Sequence, residues 1–216
     1  MPRIKYTRAI IEFFPKGKIS AEQVRGFFGY VMLDDSGFHH HSDRLIYEYP
    51  KVQYKVLDNK IYVIGLEDYA EKIYAAVTKT RKLIIANKEF LIRNINFETA
   101  NFEIRESNAK YKFITPWIAL NNKNYFLFRN LHTTEEKRQM LNKILAGNIL
   151  SFLKGLNIFI DFRLIPQVDY FKVIKVVVNK NAFVGVYTKF GINILMPDYI
   201  GIGKSVSKGY GTIVRY

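Results

Sequence analysis

The chain has 216 residues, 49% of them hydrophobic and 24% charged, and 33 Lys and Arg against 19 Asp and Glu give a formal net charge of +14. That length fits one large domain or two of about 100 residues, and the apolar content supplies a core and excludes a disordered chain. The absence of cysteine excludes disulfides, thiolate metal sites and a cysteine nucleophile.

Residues 3–14, RIKYTRAIIEFF, are β-branched and aromatic and predict a strand. Preceded only by Met1 and Pro2, this run is too short and too broken by charge for a signal peptide. Ser20 then opens a helix, SAEQVRGFFGYVM, with Gln23 completing a capping box and Val24, Phe27, Phe28 and Val31 on its apolar side. LDDSGFHHHSD reads as a loop. RLIYEYPKVQYKVLDNKIYVIGL reads as two strands around a turn at Asp58-Asn59, with Pro50 marking a bulge or an edge. Residues 66–77 predict a short helix with Leu66, Tyr69, Ile73 and Val77 inward, and KLIIANKEFLIRNINF predicts a strand.

Residues 1–95 thus read β-α-β-β-α-β, the ferredoxin-like order, and residues 96–216 read as a second, looser unit. There, strand-like runs surround Phe102–Ile104, Tyr111–Ile114 and Tyr125–Phe128. Thr133 opens a long helix through a Thr-x-x-Glu box ending at Glu136, with Met140, Leu141, Ile144, Leu145, Ile149, Phe152, Leu153 and Leu156 as its buried stripe. Strands are predicted around 158–165, 170–178, 182–187 and 192–195, then a glycine loop and a last strand. The fold class predicted is α+β: tandem ferredoxin-like (RRM-like) units with antiparallel sheets. No stretch approaches the ~18 apolar residues of a membrane span, so a soluble, cytoplasmic protein is expected.

The positive surplus must lie on the surface, where it attracts polyanions, and nucleic acid is the first reading. A generally lysine-rich proteome and an anionic membrane surface compete with it, though no strongly basic amphipathic helix supports the membrane. The loop GIGKSVSKGYG combines Gly201, Gly203, Gly209 and Gly211 with Lys204, Ser205, Ser207 and Lys208. Glycines let backbone N–H groups approach an anion, so phosphate binding is the natural chemistry, and a glycine-rich turn between strands is the structural alternative. GIGKS imitates a phosphate-binding P-loop, but the preceding spacing is wrong and a strand follows where a helix is required. KGYGTIV fits the RNA-binding strand pattern at Lys208–Gly211, yet Thr212 stands where a stacking aromatic belongs.

A near-C-terminal glycine loop of this form, following tandem ferredoxin-like units, resembles the RAMP superfamily, and more narrowly the CRISPR-associated endoribonucleases that cut precursor CRISPR RNA within its repeats. YPKVQYKV (Tyr49 to Val56) is similar to a run these enzymes carry in their first unit, and FITPWI (Phe113 to Ile118) to a segment of their second. The resemblance implies metal-independent RNA cleavage with no cofactor. It also implies RNA as partner, with effector-complex subunits and a second copy of the chain as further candidates. A noncatalytic RAMP subunit that only grips crRNA, and an RNA-binding protein of another pathway, are the alternatives.

The resemblance places a catalytic histidine after the first helix, where His39, His40 and His41 stand. His40 is favoured, then His39 and His41. Tyr47 is the second catalytic candidate, with a strand aromatic in the core as its competing reading; Tyr47 and Tyr49 share a strand face. Lys51 and Lys55 are candidate phosphate contacts. Asp34, Asp35 and Asp43 flank the histidines and raise a metal nuclease, but no second acidic cluster has recognisable spacing, and no metal is expected. His132 reads as a local polar contact.

Overall fold

The computed structural model describes residues 2–31, 49–178 and 180–216. His39, His40, His41, Tyr47, Asp34, Asp35 and Asp43 lie outside the described residues. The chain divides into two compact units: Arg3–Phe102 with Ser207–Gly209, and Glu103–Val206 with Pro2 and Tyr210–Tyr216.

The first unit runs β1 (Arg3–Phe14), α1 (Ala21–Val31), β2 (Val52–Leu57), β3 (Lys60–Leu66), α2 (Asp68–Lys79), β4 (Lys82–Ile85) and β5 (Lys88–Glu103). Its sheet has the order β2-β3-β1-β5-β4. The first four strands of that order give the ferredoxin-like arrangement, and β2, just past Pro50, is an edge strand. Ser20 caps α1 as expected: Gln23 N–H donates to Ser20 Oγ at 3.2 Å, and Ser20 N–H to Gln23 Oε1 at 2.9 Å. Alternate residues of β1 (Ala9, Ile11, Phe13) form one core with Val24 and Phe28 of α1 and Ile73 and Val77 of α2. Both helices therefore cover one sheet face. The opposite face carries Gln53 and Lys55 of β2, Tyr62 and Ile64 of β3, and Arg8 and Ile10 of β1, in register.

The run KLIIANKEF, expected to be a single strand, is a hairpin. Ala86 and Asn87 both take positive φ (50° and 60°) between β4 and β5, as a two-residue primed turn requires. Lys82 Nζ pairs with Glu89 across it at 2.8 Å.

The second unit contains β6 (Glu106–Phe113), β7 (Trp117–Leu120), α3 (Asn122–Arg129), α4 (Thr134–Gly155), β8 (Gln167–Val178), β9 (Asn181–Ile194) and β10 (Ile213–Arg215). The sheet has the order β10-β6-β9-β7, and β8 also pairs with β9; each described ladder is antiparallel. The Thr133 capping box is present, with Glu136 N–H donating to Thr133 Oγ1 and Thr133 N–H to Glu136 Oε2. The Thr133 backbone N–H, and after it the Thr133 hydroxyl at 2.9 Å, donate to the Glu136 carboxylate and hold it below its ordinary range. Leu141, Leu145, Ile149, Phe152 and Leu153 form the buried stripe, and α4 packs on β7 and β8. His132 joins the same cap through its backbone N–H, which donates to Glu136 at 3.1 Å.

Three expectations are corrected here. Tyr125–Phe128 is helical, because Asn121 caps α3 by accepting from Asn124 N–H at 2.8 Å, and this local start outweighs the β propensity of the aromatics. Residues 158–165 form no strand; Ile165 N–H is bound instead by the Asn193 side chain at 2.8 Å. The runs 182–187 and 192–195 are one strand, β9, whose two halves pair with different partners, β7 and β6. Among the described residues no helix is long and apolar enough to cross a membrane.

Candidate active site and RNA interface

Two motifs that stand far apart in sequence form one structure. FITPWI and the glycine loop meet within the second unit. Gly211 N–H donates to Pro116 O (2.9 Å), Thr212 N–H to Thr115 Oγ1 (2.8 Å) and Ile114 N–H to Thr212 O (2.9 Å). Ile118 and Lys204 form an isolated antiparallel bridge, as do Gly201 and Thr212. Trp117, fully buried, donates from Nε1 to Asn148 Oδ1 of α4 at 2.9 Å.

This docking explains two of the glycines directly. At Gly203 (φ 100°) a Cβ would lie 2.7 Å from Trp117 Nε1. At Gly211 (φ 64°) it would lie 2.0 Å from Ile202 O, inside the turn closed by Ile202 N–H to Gly211 O at 2.8 Å. Both positions thus require positive φ and close approach to the protein's own atoms.

The loop's polar groups divide accordingly. Lys204 is exposed, its Nζ 4.4 Å from the centroid of the Phe183 ring, a cation–π contact. Ser205 takes positive φ (60°) and is half-buried, whereas Ser207 is buried. Lys208, whose side chain is 12% exposed, pairs with Glu22 of α1 at 2.8 Å, and both belong to the first unit. Gly209 belongs there too, next to the Tyr54 carbonyl. Lys204 is therefore the loop's accessible cation. Lys204→Ala is expected to lower the log–log salt dependence of RNA binding by about 0.7, the value for one single-strand phosphate contact. Lys208→Ala should change it by less, as Glu22 already neutralises that ammonium. A filter-binding titration against salt reads both.

The run Tyr49–Val56 holds a second polar arrangement. Lys51 is half-buried before β2, its backbone O accepting from Leu66 N–H at 2.9 Å. Lys55 is not on the surface: it is fully buried, and its Nζ donates to Gln53 Oε1 at 2.9 Å. Gln53 Nε2 in turn donates to Tyr49 Oη at 2.7 Å and Pro50 O at 3.2 Å. A phosphate cannot reach Lys55 in this arrangement, so the expected contact is corrected. Burial drives its pKa down to about 7, because a charged ammonium loses its hydration there. Tyr54, on the helix-covered face, stacks on Phe28 with centroids 5.7 Å apart, and burial pushes its hydroxyl pKa up.

An antiparallel tandem α+β chain whose C-terminal glycine loop is pinned by a Thr-Pro-Trp segment is of the tandem ferredoxin-like class. The Cas6b N-terminal domain model matches residues 3–103 and the Cas6b C-terminal domain model residues 103–216. The chain belongs to the Cas6b family. It is similar over 99% of its length to the whole chain of a crystal structure of Cas6b, with a TM-score of 0.89 and 28% identity. It is also similar over 99% to the whole chain of a structure described as CRISPR RNA processing endoribonuclease Cas6b, with a TM-score of 0.76 and 25% identity. An uncharacterized protein of Methanocaldococcus jannaschii, MJ0978, is 40% identical over 121 residues, which are 56% of this chain and 80% of that one.

Proposed function

We propose that this protein is the endoribonuclease that cuts precursor CRISPR RNA within its repeats, without a metal ion. The observation that carries the reading is the match of both Cas6b domain models, which together span residues 3–216. The described residues support it with an exposed Lys204 on a loop hydrogen-bonded to Thr115 and Pro116, and the chain is strongly basic. In this mechanism a base removes the proton of the 2′-OH beside the scissile bond. The 2′ oxygen attacks the adjacent phosphorus, the P–O5′ bond breaks, and an acid protonates the departing 5′ oxygen. The products are a 2′,3′-cyclic phosphate and a 5′-OH. Imidazole suits both proton transfers, since its ordinary pKa of about 6.5 lies near working pH. His40, with His39 and His41 beside it, takes the proton-transfer role, and Tyr47 assists. Lys51, Lys204, Ser205 and the loop backbone hold the strand, and phosphate contacts of this kind position RNA without reading its bases. The partners are RNA and, further, effector subunits or a second copy of the chain.

The test incubates the protein with its host's repeat RNA in excess EDTA. Cleavage should proceed at the same rate as without chelator, and the 5′ fragment should resist end-labelling at its 3′ terminus until the cyclic phosphate is opened and the resulting monophosphate removed. Activity that vanishes in EDTA and returns with Mg²⁺ would contradict the mechanism. RNA binding without any cleavage would point to a noncatalytic RNA-gripping subunit.

A further inference from the structure

The first unit contains a cavity of about 380 Å³ lined by Pro15, Lys16, Gly17, Lys18, Lys88, Glu89 and Phe90. It lies where the chain leaves β1 and where β5 begins. Phe90, which borders it, is a core residue, buried and packed edge-on against Phe13 at 5.6 Å. The loop descends onto that ring at Gly17, where a Cβ would stand 3.0 Å from Phe90 Cε1. Lys16, Lys18 and Lys88 are exposed at the rim. Glu89 is the cavity's one carboxylate, and Lys82 already engages it at 2.8 Å. None of the three rim lysines has a carboxylate within ion-pair distance among the described residues. The cavity therefore presents uncompensated positive charge beside Pro15. The nearby start of α1 does not supply the anion site, since Ser20 and Gln23 close its capping box on each other.

We propose that this cavity binds one nucleotide of single-stranded RNA, its phosphate among Lys16, Lys18 and Lys88 and its sugar against Pro15. Three features select this ligand. The concavity has the volume of a small-ligand site, whereas a membrane surface needs a flat or convex basic face. A cluster of cations with no base-reading group matches the way phosphate contacts hold a strand without reading its bases. The three free ammonium groups match a polyanion. The site adds a strand contact within the first unit and rests on the reading of the chain as an RNA-binding enzyme.

The test compares the full chain with Lys16→Ala/Lys18→Ala/Lys88→Ala and with the corresponding triple Arg variant. The probe is a single-stranded RNA of one repeat with short flanks, carrying 4-thiouridine. The triple Ala variant should lose about 0.7 of log–log salt slope, the value for one single-strand phosphate contact. The Arg variant should keep it, because charge is retained. Irradiation of the wild type should cross-link RNA to peptides carrying residues 15–18 or 88–90, and single-turnover cleavage at saturating RNA should stay within about twofold. An unchanged slope in the Ala variant, absence of those cross-links, or cross-linking by a free mononucleotide but not by RNA would overturn the site. The two readings fail separately: a wild type that never cleaves RNA but shows the slope change and cross-links loses only the nuclease. One that cleaves normally with an unchanged slope loses only this cavity.

Discussion

Replacing His39, His40 and His41 together by Ala is expected to slow single-turnover cleavage of repeat RNA by more than ~100-fold while leaving affinity nearly unchanged. A positioned proton-transfer group contributes about 10²–10⁴-fold, and its loss acts on the reacting state rather than on strand binding. His40→Ala alone should give most of this effect, and the neighbouring imidazoles set how much remains. Tyr47→Phe should cost less than either. On the substrate side, a single 2′-deoxy nucleotide before the cut should bind normally and stay intact, since the nucleophile is gone. Cleavage of that RNA at the ordinary position would remove the 2′-OH mechanism, and a triple Ala variant cleaving at the wild-type rate would place the chemistry elsewhere in the chain. Quench-flow with excess enzyme, alongside an equilibrium binding measurement, separates the rate from the affinity.

The sequence announced those parts of the fold whose signals are local. The Ser20/Gln23 and Thr133/Glu136 boxes start their helices where their spacing predicts, because a cap is decided within four residues. The Ala86-Asn87 turn was hidden because it contains no glycine, although Asn tolerates positive φ well. Tyr125–Phe128 misleads because aromatic clustering favours a strand while the cap that overrules it, Asn121, is unremarkable in a run of asparagines. At the candidate site, the loop was legible as a glycine-rich anchor, but its partner was not. Trp117 and Gly203 are separated by 86 positions and meet only in the folded unit. The Lys208–Glu22 pair spans 186 positions and is equally invisible to spacing. Lys55 shows the limit of a period-2 reading. KVQYKV alternates apolar and polar residues, so Gln53 and Lys55 read as a solvated face, yet both are fully buried.

That burial leads to the second large expectation, a pH-dependent stability difference centred on Lys55. Its folded pKa, about 7, lies below the ordinary lysine value near 10.5. Between those values the unfolded chain binds the proton and the folded chain does not, so stability rises as pH increases from about 7 toward 10.5. Below pH 7 both states are protonated and the folded protein bears the full cost of a buried ammonium held by one acceptor, Gln53 Oε1. Lys55→Met removes that cost and leaves Gln53 Oε1 without this donor, a pH-independent loss of about 1–3 kcal/mol. Relative to wild type, the Met variant should therefore gain most near pH 6 and progressively less by pH 9, the gap closing by on the order of 2 kcal/mol. Urea unfolding of both proteins at several pH values checks this, because other lysines and tyrosines titrate equally in the two and cancel. A stability difference that stays flat from pH 6 to 9 would mean that Lys55 keeps an ordinary pKa and that its ammonium is hydrated in solution. A difference that closes as stated would establish it as a buried group neutral in the upper part of that range, held in place by the Gln53–Tyr49 hydrogen bonds rather than by charge.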